Sequence, residues 1–88
     1  MNHRATSRFW SCYRRLPEEV QGLADRGYEM LRDDPRHPSL HLKKVGALWL
    51  VRVGLHYRAL AVEDCSDLVW VWIGPHAEYD RLIQGRGA

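Results

Sequence analysis

Apolar residues recur at helical spacing over the first third of the chain. Phe9, Tyr13 and Leu16 stand four and three residues apart, a spacing that predicts a short amphipathic helix. Pro17 suits the first turn of a second helix, and the apolar stripe of that helix continues to Leu31 before two aspartates and a proline end it. The sequence therefore predicts two helices in succession.

Beyond Pro38 the helical period is lost. Short runs of β-branched and aromatic residues alternate with glycines and charged residues, which is typical of successive antiparallel strands. Four strands are predicted, at residues 40–45, 48–53, 56–63 and 68–73. The last run is apolar on both faces, which favours an interior strand and places Trp70 and Trp72 in the core. Gly74 and Pro75 end this strand, and a short helix is predicted over residues 76–83.

The residues that precede the first helix are polar and lead directly into it, so no N-terminal strand is predicted. The predicted fold class is α+β, with two N-terminal helices, a curved antiparallel four-stranded sheet and a short C-terminal helix. A chain of 88 residues suits one domain, residues 1–88. Its last residues, 84–88, are predicted to form a frayed tail.

The composition is that of an ordinary globular protein, with 45% hydrophobic and 27% charged residues, so the chain is expected to bury a core. No run approaches the roughly 18 apolar residues of a membrane span, and the N-terminus has no apolar leader. We therefore expect a soluble, cytoplasmic protein with no membrane partner. Cys12 and Cys65 lie far apart in sequence and are expected to be reduced thiols.

The net charge of +2 conceals an asymmetry along the chain. The segments outside residues 35–62 hold eight basic and eleven acidic residues and sum to −3. Residues 35–62 contain no acidic residue and five basic ones, namely Arg36, Lys43, Lys44, Arg52 and Arg58. Such a concentration of positive charge is expected of a protein that binds a phosphate backbone, but solvated strand residues produce the same count. Strand alternation places His56 and Arg58 on one face of the third strand.

The residue types favour proton transfer over metal chemistry. The cysteines and the five histidines lack the spacing of a zinc site, and no phosphate loop or nucleophile elbow is present, so no metal or cofactor is expected. RNA carries its own nucleophile in the 2′-hydroxyl, and its cleavage needs a base, an acid and cations at the phosphorus. Histidine suits the first two roles and arginine the third. His76 and Tyr79 share a face of the C-terminal helix, where an aromatic residue more often packs in the core.

Three segments resemble the RelE/ParE family of bacterial type II toxin–antitoxin toxins. They read DPRHPSLHLKK at residues 34–44, VRVG followed by YRAL within residues 51–60, and WIGPHAEYDR at residues 72–81. The similarity spans nearly the whole chain, although many relatives carry an N-terminal strand that is not evident in this sequence. The resemblance implies a helical hairpin packed on a curved antiparallel sheet, and a small toxin that an antitoxin wraps and neutralises.

RelE-like members of that family cleave mRNA, commonly on the ribosome and without a metal, and the resemblance implies the same endoribonuclease activity here. Its implied partners are a cognate antitoxin, mRNA on the ribosome, and operator DNA through the antitoxin. The implied catalytic residues are His76, Tyr79, Arg58 and Arg52, with His76 as the leading acid or base and an arginine as the phosphate stabiliser. The implied RNA-binding or phosphate-binding residues are Lys43, Lys44, Arg36, His41 and His56.

Two other hypotheses stay open from the sequence. ParE-like members share the fold and poison DNA gyrase, and a non-catalytic chain could bind an antitoxin and act only as a co-repressor. The RNase hypothesis ranks first because the histidines and Tyr79 supply proton-transfer chemistry that gyrase binding does not require. Antitoxin binding has its own support, because an exposed Trp10 or Trp49 and an uncovered strand at residues 40–45 offer an apolar groove and an unpaired sheet edge.

Overall fold

The computed structural model describes the backbone of residues 2–87 and the side chains of residues 2–83, and it confirms the α+β class. Three α-helices and five strands follow one another as β1 (His3–Ala5), α1 (Ser7–Arg14), α2 (Glu18–Asp33), β2 (Lys43–Val45), β3 (Leu48–Val53), β4 (Tyr57–Asp64), β5 (Asp67–Pro75) and α3 (His76–Gly87). The predicted tail begins within α3, and its side chains and Ala88 lie outside the described residues. Within residues 2–87 no helix is both long and apolar enough to cross a membrane.

The sheet has five strands, in the order β1-β5-β4-β3-β2, and β1 runs parallel to β5 while the other pairs are antiparallel. The prediction that the polar N-terminus forms no strand was therefore wrong. The Leu68 N–H donates to the Asn2 carbonyl at 2.9 Å and the Thr6 N–H donates to the Trp70 carbonyl at 3.0 Å. Main-chain groups pair in this way whatever the side chains are, so an edge strand needs no apolar run.

The predicted strand at residues 40–45 is also shorter than expected. Pro38–Leu40 forms a 3-10 turn, and His41 adopts a left-handed backbone with φ of 48°. Proline fixes its own φ at a helical value and cannot donate to a strand ladder, and a left-handed residue interrupts an extended chain. Only Lys43–Val45 therefore pairs with β3, and it forms the outer edge of the sheet.

The core lies in two layers on opposite faces of the sheet. The helices α1 and α2 cover one layer, which contains Val51, Ala61 and Trp70. The helix α3 covers the other layer, which contains Leu50 and Trp72. The two helices of the hairpin are linked by the Tyr13 hydroxyl, which donates to Asp25 Oδ1 at 2.8 Å.

A β-bulge decides which layer each tryptophan joins. Leu60 pairs with Trp72 and Ala61 pairs with Trp70, so Val71 is an extra residue on β5. Without this extra residue, strand alternation would place both indoles on the same face. Both tryptophans are buried, at 6% and 7% exposure, which confirms that they belong to the core.

Candidate active site

Two arginines face each other across the centre of the sheet. Arg52 on β3 and Arg58 on β4 are directly paired residues, so their side chains leave the sheet on the same side. We call this surface the arginine face; it is the side of the sheet that α3 partly covers. No ion pair among the described side chains includes either arginine. Two guanidinium groups without a carboxylate partner form a site for an anion.

The backbone of the preceding turn orients Arg58. Its Nη1 donates to the Tyr57 carbonyl at 2.7 Å and to the Leu55 carbonyl at 3.5 Å. Burial lowers the pKa of Arg58, and the neighbouring Arg52 lowers it further, as expected of two like charges held together. Because an arginine side chain is ordinarily protonated far above neutral pH, the group stays charged. The remaining donors of Arg58 are thus fixed in direction and available to a phosphate.

His41 lies beside Arg52 at the edge of β3. Its Nε2 is 3.4 Å from Arg52 Nη1, and the left-handed turn at His41 brings the imidazole to this position. The Nε atom of Arg52 is buried and has no hydrogen-bond partner. Buried polar groups are normally paired, so Arg52 has a donor that no described group of this chain satisfies.

The first turn of α3 places a histidine and a carboxylate beside the strand ends. His76 follows β5 directly, and its N–H donates to the His56 carbonyl at 2.7 Å, next to the strand that carries Arg58. His76 Nε2 lies 3.2 Å from Asp80 Oδ2, and both side chains are about half exposed. A carboxylate at this distance holds the ring in place. His76 is therefore accessible to a ligand and already paired with an orienting group.

Sequence reasoning missed Asp80. Its spacing of four residues from His76 in a helix was the available signal. Burial and Arg52 lower the pKa of Arg58, and the Asp80 carboxylate acts in the opposite direction. The carboxylate that lies against His76 therefore also acts on the charge of the arginine face.

Tyr79 belongs mainly to the core. It is 9% exposed and packs with Leu48, Leu60 and Trp72, while its ring centroid lies 6.1 Å from that of His76. Burial raises the pKa of Tyr79, which makes its hydroxyl a poorer acid at neutral pH. The structure thus gives Tyr79 the packing role that its sequence position also allowed, and its part in proton transfer stays a prediction.

The structure separates the two adjacent lysines. Lys43 pairs with Leu50 and Lys44 pairs with Trp49, so Lys43 lies on the arginine face and Lys44 on the opposite face. The Lys44 Nζ is 5.8 Å from the centroid of the Trp49 ring, a cation–π distance. Of the two, only Lys43 can extend the anion site along the sheet.

The two remaining predicted RNA-binding residues lie in loops. Arg36 is exposed in the turn after α2, where its N–H donates to Asp34 Oδ1 at 3.3 Å. His56 is exposed in the turn between β3 and β4, and its main chain is bonded to His76. The geometry therefore brings His56, but not Arg36, to the residues at the start of α3.

No protein-family model and no curated protein sequence matches this chain. Its architecture is nevertheless similar to that of solved toxin structures. The RelB-RelE antitoxin–toxin complex from Methanococcus jannaschii matches with a TM-score of 0.71 at 14% identity, over 89% of this chain and 96% of that chain. This chain has the RelE toxin fold.

Two further structures with the RelE fold give the same result. YafQ from E. coli strain BL21(DE3) matches with a TM-score of 0.68 at 9% identity, over 89% of this chain and 96% of that chain. The isolated E. coli RelE toxin matches with a TM-score of 0.62 at 12% identity, over 94% of this chain and 95% of that chain. Identities this low show a shared fold, so the roles of residues rest on the geometry of this chain.

Proposed function

We propose that the chain is the toxin of a type II toxin–antitoxin system and that it cleaves mRNA without a metal. The observation that carries this proposal is the arginine face, where Arg52 and Arg58 are paired with each other and with no carboxylate among the described side chains. A dianionic phosphorane is the kind of charge that two fixed guanidinium groups stabilise. The adjoining His76–Asp80 pair supplies the proton-transfer group.

The reaction follows from these groups. The 2′-hydroxyl of one nucleotide attacks the adjacent phosphorus while a base removes its proton, and the P–O5′ bond breaks as an acid protonates the leaving oxygen. The products are a 2′,3′-cyclic phosphate and a 5′-hydroxyl end. In this scheme His76 transfers a proton at one of the two oxygens and Asp80 holds its ring, while Arg52 and Arg58 bind the non-bridging oxygens.

The test compares induced wild type with His76→Ala and Arg58→Ala in growing cells, followed by mapping of transcript 5′ ends. We expect growth arrest with new 5′-hydroxyl ends inside translated codons, and loss of both effects in each variant. Arg26→Ala is the matched control, since Arg26 is exposed on α2 and lies outside the arginine face. Cleavage retained in both site variants would refute the assignment. Arrest with intact transcripts would favour gyrase as the target, and no arrest would favour a non-catalytic co-repressor.

We further propose that the antitoxin binds the groove between the two N-terminal helices and the sheet. This groove has a volume of about 630 Å³ and is lined by aromatic residues that include Phe9, Trp10, Tyr13 and Tyr28. Trp10 is 45% and Tyr28 46% exposed, so the groove presents apolar surface to which an amphipathic helix can bind. The sequence also suggested Trp49 as an exposed contact for the antitoxin. Trp49 is instead half-buried and donates its indole N–H to Glu63 at 2.5 Å.

Antitoxin binding can be tested by co-expression. An antitoxin that relieves the arrest caused by wild type should fail to relieve the arrest caused by Trp10→Asp, because a carboxylate in the groove opposes burial of an apolar helix. If the antitoxin relieves the arrest caused by both proteins, it binds outside this groove. The unpaired outer edge of β2 is then the next surface to test. The ribosome and operator DNA as partners rest on the family resemblance alone.

A further inference from the structure

A second cleft lies beside the candidate active site, between α1 and the end of β5. Its volume is about 430 Å³. One wall includes Arg8 and Ser11 of α1 and Arg15, the C-cap of that helix, and the other wall includes Gly74 and Pro75. Of the residues that line this cleft, the groove proposed for the antitoxin shares one, Ile73.

The α1 wall presents two positive charges and a hydroxyl in one row. Arg8 and Ser11 lie in α1, and Arg15 is its C-cap with a helical backbone conformation. Their spacing of three and four residues therefore places them on one side of the helix, with the two arginines about 10 Å apart along its axis. All three side chains are exposed, and no ion pair among the described side chains involves either arginine. The row is therefore free to bind an extended polyanion.

The opposite wall connects this cleft to the candidate active site. Gly74 is the strand partner of Arg58, and Pro75 immediately precedes His76. The cleft and the arginine face therefore both border the end of β5. Glu78 is the one carboxylate among the described residues that line the cleft, and it opposes binding of an anion.

We propose that this cleft is a second subsite for the backbone of single-stranded RNA. In it, Arg8 and Arg15 bind phosphates next to the one that is cleaved, and the Ser11 hydroxyl donates a hydrogen bond to a phosphate oxygen. The inference rests on the proposed RNase function, because it assigns a further part of the same substrate. Both Arg8 and Arg15 lie outside residues 35–62, the segment in which the sequence concentrates positive charge.

The probe is a short fluorescein-labelled single-stranded oligonucleotide with 2′-O-methyl sugars, which cannot be cleaved by 2′-hydroxyl attack. Its affinity is measured over a range of salt concentrations for wild type and for Arg8→Ala/Arg15→Ala. The matched control is Arg14→Ala/Arg26→Ala, which removes the same net charge from arginines that line neither cleft. Equal melting temperatures for the three proteins exclude an effect on folding.

Each phosphate contact on a single strand contributes about 0.7 to the slope of log affinity against log salt, so loss of two contacts should lower this slope by about 1.4. If the two proteins bind equally at about 1 M salt, this difference in slope makes the affinity of the variant about 25-fold lower than that of wild type at about 0.1 M salt. The control pair should change the slope much less, and Glu78→Gln should bind the probe more tightly than wild type.

Equal slopes for the two double variants would overturn the inference, and so would a wild type that does not bind the probe at low salt. Transcript cleavage by Arg58→Ala tests the proposed function separately. If this variant loses cleavage and the slopes of the two double variants are equal, the second subsite is refuted and the RNase function is supported. If Arg58→Ala still cleaves transcripts, the RNase assignment is refuted whatever the slopes are.

Discussion

The same substitution, glycine to alanine, should have opposite effects at two positions of this fold. Gly74 is buried on β5, and a Cβ atom built there would lie 2.6 Å from Trp72 Cζ2, 3.1 Å from Cη2 and 3.2 Å from Cε2. Carbon atoms in favourable contact are about 3.5–4.0 Å apart, so the methyl group of Gly74→Ala has no room. Gly27, in contrast, lies in α2, where a Cβ atom would meet no heavy atom within 4 Å beyond the helix's own backbone and its chain neighbours.

The indole of Trp72 cannot move away cheaply. It is 7% exposed and packs in the layer that also contains Leu48, Leu60 and Tyr79. Overpacking of this kind costs about 1–3 kcal/mol, and a loss of about 2 kcal/mol in a domain of this size lowers the melting temperature by roughly 8–16 °C. Gly27→Ala should instead stabilise the protein by up to about 1 kcal/mol, because alanine favours a helix interior.

Chemical denaturation followed by circular dichroism measures both changes in the free energy of unfolding. A double-mutant cycle identifies the cause, because Gly74→Ala should cost much less in a Trp72→Phe background, where the smaller ring leaves space for the methyl group. A loss below about 0.5 kcal/mol for Gly74→Ala, within the range of ordinary surface changes, would refute this reasoning. An unchanged loss in the Trp72→Phe background would refute the assignment to the indole.

Three other predictions concern local contacts. Asp80→Asn removes the carboxylate 3.2 Å from His76 and should slow RNA cleavage on the order of tenfold. This effect is smaller than the hundredfold or more expected when acid–base catalysis is lost completely. Single-turnover cleavage measures the rate, and an unchanged rate would contradict the prediction. Burial lowers the pKa of His3 from its ordinary 6.5, so the unfolded state binds more protons than the folded state. The contribution of His3 to the free energy of unfolding is therefore complete above about pH 6.5 and is lost as the pH falls. His3→Gln should flatten the dependence of the unfolding free energy on pH, and equal curves for both proteins would contradict this. Thr6→Ala should cost about 1 kcal/mol in denaturation, because Thr6 Oγ1 accepts the Phe9 N–H at 3.1 Å, and a smaller loss in Ser11→Ala is the expected control.

Much of the fold was predictable because local pattern and tertiary contacts agree. The helical spacing of Phe9 and Tyr13 predicted α1, and the alternating run at residues 48–53 predicted β3 at the bounds that the structure has. The arginine face followed in part from strand alternation, which placed His56 and Arg58 on one face of the predicted strand. The direct opposition of Arg52 and Arg58 required the register of β3 and β4, and no single strand contains that information.

Other parts of the molecule could not be read from local pattern. The strand β1 depends on main-chain bonds to β5, more than sixty residues away in sequence, and its polar residues carry no strand signal of their own. The bulge at Val71 reverses the alternation that the sequence of β5 predicts. Asp80 contacts His76, and only the folding of the last residues into a helix creates that contact.

The sequence by itself determined the helices, the strand runs, the turns and the concentration of positive charge in residues 35–62. These features depend on neighbours within a few residues, through helical or strand periodicity and the restricted backbone of proline and glycine. The tertiary structure decided the pairing of Arg52 with Arg58, the main-chain bond between His76 and His56 and the separation of Lys43 from Lys44. Those arrangements depend on register, a bulge and the path of α3, because side chains distant in sequence meet only when main-chain hydrogen bonds and core packing fix one strand against the next.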